Sequence, residues 1–297
     1  MNLRQLEVFQ AVMNSGTTKN AARLLHISQP AVSNMVRQFE DQLGFALFDR
    51  IGSRLHPTQE ARVLSKNLER VFASVDAVEN LVNDLRDTQV GTLKIVTSPS
   101  LGQTVLPPAI AAFVRDRPEV KIGFDTPPND VIIAQLDSHQ ADFGLTITPI
   151  NHPTLESHIV RDGRLVCVLP KGHPLSRKRT VSPKDLAETT YISYPRFSPI
   201  GSIVDNAFRE QGEVQQVDIE VRYCYSACTL VNAGVGVAVS DEFAVDPVAM
   251  PNVVTRPLRT QQRAPVLLSH AKANPLSRLA RLFIEEYLWG TSSHKTV

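Results

Sequence analysis

Gln29, Ser33, Asn34 and Arg37 fall at helical spacing, so a helix through them presents two amides, a hydroxyl and a guanidinium on one outer face. Such groups donate to and accept from base edges in a major groove and reach the phosphates beside it. Ser28 stands where a helix N-cap belongs, and Pro30 in the first turn loses nothing by lacking an N–H. Upstream, Thr17 or Thr18 can cap an earlier helix in which Ala21 and Ala22 allow close approach. Leu24, Leu25, Ile27, Val32 and Val36 supply the apolar side of the pair. The stretch 17–37 therefore reads as two short helices joined by a three-residue turn. From Leu47 to Thr58, two short apolar runs flank Gly52-Ser53, a hairpin that would present Arg50 and Arg54 as a wing. The expected contacts to double-stranded DNA are Thr18, Ser28, Gln29, Pro30, Ser33, Asn34, Arg37, Arg50 and Arg54.

These residues must be held by the elements that follow. Thr58 to Asp87 contains neither Pro nor Gly, and Ala61, Leu64, Leu68, Val71, Val75, Val78, Val82 and Leu85 recur at alternating spacings of three and four. A helix of that extent is about 45 Å long at 1.5 Å per residue, and its apolar stripe calls for a cover. A partner chain is the expected cover, because Lys66, Glu69, Arg70, Asp76, Glu79 and Asp84 keep the outer face polar; the alternative is packing on the chain's own core. Dimerisation would place two recognition helices in successive major grooves.

The Ala21-Ala22 pair, the run Ser28-Gln29-Pro30-Ala31-Val32-Ser33, the segment Leu43-Gly44-Phe45-Ala46-Leu47-Phe48-Asp49-Arg50 and Pro57-Thr58 together resemble a LysR-type transcriptional regulator of bacteria. Asp49 stands where that family often has Glu. The resemblance covers essentially the whole chain. It implies an N-terminal all-α winged helix-turn-helix (1–58), a linker and dimerisation helix (59–88) and a C-terminal α/β effector-binding domain (91–297). That last domain would have two lobes like a periplasmic binding protein, lobe I at 91–162 and 268–297 and lobe II at 163–267. By the same resemblance, Gln29, Pro30, Ser33 and Arg37 face bases or nearby phosphates, with Arg50 and Arg54 in support.

The residues of the second half agree with an α/β pattern. After a hinge at Thr88-Gln89-Val90-Gly91, 92–97 reads as a strand, Ala109 to Arg115 as a helix, Val120 to Phe124 as a strand, Val131 to Ser138 as a helix and Ala141 to Ile147 as a strand. This alternation suggests a parallel sheet. Further strands are expected at Leu165–Leu169 and Val235–Val239, a return to the first lobe at Val266–Ser269, and a closing helix from Leu276 to Trp289. A ligand of such a fold sits between the lobes, at strand ends and helix starts where free N–H groups favour anions. Ser98, Ser100 and Leu101 are the first candidates, with Thr126, Thr146, Arg196, Phe197, Ser198, Pro199 and Ser226 across the cleft. Arg196 would hold a carboxylate bidentately and Phe197 would pack on an apolar portion. Residues 98–113 resemble the branch of the family that answers to amino acids and opines, so the effector expected is a small organic or amino-acid-like carboxylate.

Composition sets the remaining bounds. The chain of 297 residues carries a net charge of +1, and residues 1–62 hold seven basic groups (Arg4, Lys19, Arg23, Arg37, Arg50, Arg54, Arg62) against five acidic ones (Glu7, Glu40, Asp41, Asp49, Glu60). Affinity for DNA must then come from placement and from several copies acting together. Arg4 and Glu7 interrupt any signal peptide, and no apolar stretch is long enough for a membrane span, so a cytoplasmic protein is expected. Cys167, Cys224 and Cys228 make neither a disulfide framework nor a zinc site. Cys224 and Cys228 are read as small buried side chains, their spacing being narrower than that of the family's peroxide-sensing pairs. No nucleophile elbow, zinc helix, phosphate loop or dinucleotide fingerprint occurs, and the eight histidines are scattered. The expectation is a regulator and not an enzyme, needing no cofactor or metal. It would form a dimer that assembles into a tetramer, and would engage RNA polymerase. The rival readings are an architectural DNA-binding protein without an effector and a plain solute-binding protein.

Overall fold

A computed structural model of the chain describes residues 1–51, 54–86 and 90–288. The chain divides into two units, Met1–Ala77 and Val78–Val297. No helix among the described residues is long and apolar enough to cross a membrane.

In the first unit, helix α1 (Leu3–Ser15) opens with a capping box. Asn2 Oδ1 accepts from Gln5 N at 2.9 Å, and Gln5 Oε1 accepts from Asn2 N at 3.0 Å. Helices α2 (Thr18–Leu24) and α3 (Gln29–Leu43) follow, capped by Thr17 and Ser28. The turn between them, residues 25–28, passes through His26 in the left-handed region at φ 53°. Helix α3 has 15 residues and is not short. Ala21, Ala22, Val32 and Val36 are buried as expected, and Leu25 and Ile27 pack half-buried against that core, but Leu24 is 64% exposed. Phe9 anchors the core, its ring 6.0 Å from that of Phe39 and 5.8 Å from that of Phe48. Glu40 Oε1 on α3 accepts the N–H groups of Leu47 at 2.7 Å and Phe48 at 3.1 Å, which fixes where the antiparallel hairpin of β1 (Phe48–Ile51) and β2 (Arg54–Pro57) begins.

Thr58 donates to Ala46 O at 3.1 Å and accepts from Ala61 N at 3.2 Å, closing the start of α4 (Gln59–Arg86). With 28 residues, α4 is about 42 Å long. Its seam divides. Ala61, Leu64 and Leu68 pack on the winged domain of their own chain, and Ser65 Oγ donates to Gln10 Oε1 on α1 at 3.0 Å. Val71, Val78 and Val82 stay exposed. The expected cover by a partner therefore cannot apply to the first two turns, where the chain's own core takes the stripe. Leu85 falls among side chains outside the described residues.

The second unit contains strands β3 (Gly91–Thr97), β4 (Val120–Asp125), β5 (Phe143–Thr146), β6 (Leu155–Arg161), β7 (Leu165–Pro170), β8 (Tyr191–Ser193), β9 (Ile219–Glu220), β10 (Val237–Asp241), β11 (Val253–Pro257) and β12 (Val266–Ala271). Its helices are α5 (Pro99–Thr104), α6 (Leu106–Asp116), α7 (Asn129–Asp137), α8 (Pro199–Arg209), α9 (Cys224–Asn232) and α10 (Arg278–Leu282), which runs into a π turn over Phe283–Tyr287. Residues 88 and 89 of the expected hinge and Trp289 lie outside the described residues. One sheet has the order β4-β3-β5-β12-β6, the other β11-β7-β10-β8-β9. The parallel expectation holds only for β4-β3-β5 and β10-β8-β9. Strand β12 is antiparallel to β5 and β6, and β7 to β10 and β11. The final turns pack Phe283 against Phe113 and Phe143 beneath the first sheet.

The chain passes between the sheets twice at one place. Residues 162–164 lead out of β6 and residues 258–265 lead back to β12, and the two passages pair through Arg164 and Arg263, with Ala264 N donating to Gly163 O at 3.0 Å. Strand β12 begins at Val266, so the return to the first sheet precedes residue 268. A Cβ on Gly163 would lie 2.1 Å from Ala264 O, a backbone atom that cannot step aside. Gly163→Ala should therefore destabilise the second unit by about 1–3 kcal/mol in urea unfolding, the usual range for overpacking; an unchanged transition would show that the passages tolerate separation.

Candidate functional site

Helix α3 presents its outer face as the sequence suggested. Ser28, Gln29, Pro30, Asn34 and Arg37 are exposed, and Thr18 and Ser33 are half-buried. The Ser28 hydroxyl is occupied as a cap, accepting from Ala31 N at 3.3 Å, and Gln29 Nε2 reaches Thr18 Oγ1 at 3.4 Å. That contact joins the two helices and sets the Gln29 amide at the start of the face. Arg37 has no ion pair among the described residues. The roles expected of Arg50 and Arg54 concern side chains that lie outside the described residues.

The second unit holds a cavity of about 470 Å³. Its walls carry the opening residues of four helices: Ser98–Ser100 at α5, Pro128–Asp130 at α7, Ser198–Ile200 at α8, and Tyr223 with Cys224 at α9. The first N–H groups of a helix lack internal partners and carry partial positive charge, so four such ends around one space favour an anion. Arg222 adds a full positive charge and lies 5.6 Å from the Tyr223 ring. Asp130 is the acidic residue on the wall. Pro127, Pro128, Pro195, Pro199, Ile147, Ile200 and Phe197 make most of the rest apolar.

Of the candidates named from sequence, Ser98, Ser100, Phe197, Ser198 and Pro199 line this cavity. Ser98 Oγ accepts from Ile147 N at 3.3 Å, which leaves its hydrogen to donate. The Ser198 hydroxyl caps α8 by accepting from Gly201 N at 3.1 Å, and that turn is tight enough that a Cβ on Gly201 would meet Pro195 O at 2.1 Å. The other five candidates do not reach the wall. Leu101 is fully buried in the core. Thr146 is fully buried and donates to Thr148 O at 2.8 Å. Thr126 packs its methyl towards Gly102. Arg196 pairs with Asp205 through Nε at 3.4 Å and so is not the carboxylate clamp. Ser226 lies two residues beyond Cys224 on α9, about 200° further round the helix at 3.6 residues per turn. Asn129, Asp130, Arg222, Tyr223 and Cys224 were missed. The signal for Arg222 and Tyr223 was a cation and an aromatic just ahead of a helix, as with Arg196 and Phe197.

Behind the cavity floor sits a set of buried polar groups. Asp241 is fully buried, its Oδ1 accepting from Phe243 N at 3.1 Å. Its Oδ2, Ser100 Oγ, Ser240 Oγ and Tyr194 Oη have no well-formed hydrogen bond among the described residues. Burial raises the Asp241 carboxyl from 3.8 to about 6, partly offset by the Cys224 thiol, the Ser100 hydroxyl and the Phe243 N–H nearby. Burial likewise pushes the Cys224 thiol well above its ordinary range and that of Cys228 up to about 12, so neither is poised as a thiolate. The floor also bridges the two sheets: Thr104 at the end of α5 donates to Phe243 O at 2.6 Å.

Two families match the chain. Residues 3–62 match the family described as bacterial regulatory helix-turn-helix protein, lysR family, and residues 86–288 match the LysR substrate binding domain. Regulatory protein NocR of Agrobacterium fabrum (strain C58 / ATCC 33970) is 34% identical over 245 residues, 82% of this chain and 81% of its own length. The octopine catabolism/uptake operon regulatory protein OccR of Rhizobium meliloti is 29% identical over 247 residues, again 82% and 81%. Among solved structures, full-length CbnR complexed with its target DNA superposes with a TM-score of 0.73 at 20% identity, covering 97% of this chain and 99% of that one, which shows a common fold.

The raised value of Asp241 has a definite sign in stability. A carboxyl whose folded value exceeds its unfolded one contributes most below about pH 4 and loses that contribution as pH rises through 6. Relative to Asp241→Asn, the protein should lose about 3 kcal/mol between pH 4 and 7, at about 1.4 kcal/mol per pKa unit. Parallel unfolding midpoints of the two across that range would refute the assignment.

Proposed function

This chain belongs to the LysR family, a transcriptional regulator with a DNA-binding helix-turn-helix and an effector-binding domain, and from that premise we propose that its effector is a small anion bearing a carboxylate. The observation that carries the reading is the meeting of four helix starts around one cavity beside Arg222. The carboxylate takes the hydroxyl hydrogens of Ser98 and Ser100 and the guanidinium of Arg222, while Phe197, Tyr223 and the prolines hold an apolar portion. Asp130 suits a cationic group on the same molecule, which favours an amino-acid-derived acid; OccR, a regulator of octopine catabolism by name, points the same way.

The output side follows from the first unit. Gln29, Ser33, Asn34 and Arg37 read the major groove, and the hairpin rests beside it. The exposed Val71, Val78 and Val82 of α4 pack against a second copy, giving a dimer that assembles further on an interrupted palindrome in the cytoplasm, where it engages RNA polymerase. Effector shifts the assembly only by binding two arrangements unequally.

Thermal unfolding against amino acids, opines, aromatic acids and short organic acids identifies the ligand class by a raised midpoint. Ser100→Ala with Arg222→Ala should then weaken the hit about tenfold or more, about 1.4 kcal/mol or above; full retention would remove this cavity from the mechanism. Arg37→Ala should weaken binding to duplex DNA by about 1–3 kcal/mol in fluorescence anisotropy, and unchanged binding would remove α3 as the reader.

A further inference from the structure

The positive charge of this chain is concentrated in two segments of the second unit. Residues 171–184 contain Lys171, Arg177, Lys178, Arg179 and Lys184 with no Asp or Glu, and residues 253–264 contain Arg256, Arg259 and Arg263, again with no Asp or Glu. The whole chain has a net charge of only +1, so everything outside these two segments is net negative.

The fold brings the two segments side by side. Lys171 N donates to Asn252 O at 2.8 Å, Val181 N to Pro257 O at 3.0 Å and Arg259 N to Val181 O at 2.8 Å. Arg256 turns inward, its Nε donating to Ser176 O and Lys178 O at 2.9 and 3.0 Å, and so staples the first segment along β11. Strand β11 is the edge of its sheet. Lys178 is paired with Asp185 at 2.5 Å, and nearby Glu210 is taken up by Thr260, Gln261 and Gln262. Lys171, Arg177, Arg179, Lys184, Arg259 and Arg263 remain exposed and without an ion pair among the described residues. None of the six lines the cavity.

We propose that this strip along β11 is a second binding surface for the phosphate backbone of duplex DNA, independent of the helix-turn-helix. Two features favour this ligand. Four of the six free cations are arginines, whose planar forks suit phosphate oxygens. The winged domain has an excess of only two positive charges over residues 1–62, so little net charge draws it to the duplex beyond its local phosphate contacts. The strip supplies the missing charge without reading sequence, and each copy in an assembly adds its own.

The test uses the full-length protein and a long random-sequence duplex, with binding followed by anisotropy as salt is varied. Each phosphate contact contributes about 0.9 to the slope of log K against log salt. The variant Arg177→Gln, Arg179→Gln, Arg259→Gln, Arg263→Gln should lower the slope by roughly 3 to 4 per protomer and weaken binding more than tenfold at low salt, whereas Arg37→Ala lowers it by about 1. Should the fourfold variant melt early, Arg177→Glu with Arg179→Glu, confined to the connecting segment, carries the same expectation at about half the size. A folded variant with unchanged slope and affinity overturns the proposal. So does one that keeps its DNA affinity but no longer supports transcription by purified RNA polymerase, which would assign the strip to an acidic protein surface instead.

Discussion

The close passage of two chain segments at Gly163 and Ala264 is the constraint on which the effector-binding half depends. The first sheet takes β12 from beyond the second passage and seats it between β5 and β6, whereas the second sheet is built wholly from the segment between the passages, β7 to β11. With the backbones in contact there, the ends of β3, β4, β8 and β9 are brought to bear on one space, and α5, α7, α8 and α9, which follow those strands, open onto it. A Cβ at residue 163 would meet Ala264 O at 2.1 Å, so a glycine is what lets the two passages lie this close.

That convergence has an energetic counterpart in Asp241. Helix starts and Arg222 make the cavity attractive to an anion, yet a carboxyl already sits buried behind its floor, with Ser100 between the two. A carboxyl raised to about 6 is only partly content to be ionised near neutrality, and the Ser100 hydroxyl can point towards it or towards the cavity, not both. An anion bound on Ser100 and the charge on Asp241 are therefore in opposition, which ties ligand affinity to protonation through one hydroxyl.

Much of the first unit was legible because its signals are local. N-cap residues, a proline in the first turn and paired alanines each act within a few residues, and the structure uses them where they stand. Leu24 was misjudged because hydrophobicity alone does not say which face of α2 its last residue falls on, and that phase turns it outward. In the second unit the strand–helix alternation could be read, but not the antiparallel insertion of β12 or the edge strands β6 and β11, whose exposed faces leave a weak pattern. The cavity was half visible. Ser98, Ser100 and Phe197 precede or open helices, a one-dimensional signal, whereas Arg196 and Arg222 present the same signal and only packing distinguishes them: Asp205 occupies the first.

Helix α5 touches both the cavity and the second sheet's side of the fold. Its first turn carries Ser98 and Ser100 to the cavity, and its last residue, Thr104, is bonded to Phe243 O on the second sheet's side of the fold. A six-residue helix is too short to bend, so a ligand that displaces one end displaces the other. Phe243 is the residue after next from Asp241, and Glu242 between them donates its N–H to Arg164 O beside the Gly163 passage. Helix α5, the buried carboxyl and the crossing point are thus linked by three hydrogen bonds, two of which run through the side chains of Thr104 and Asp241. Coupling of this kind would need no long pathway, because close-packed interiors transmit displacement instead of absorbing it.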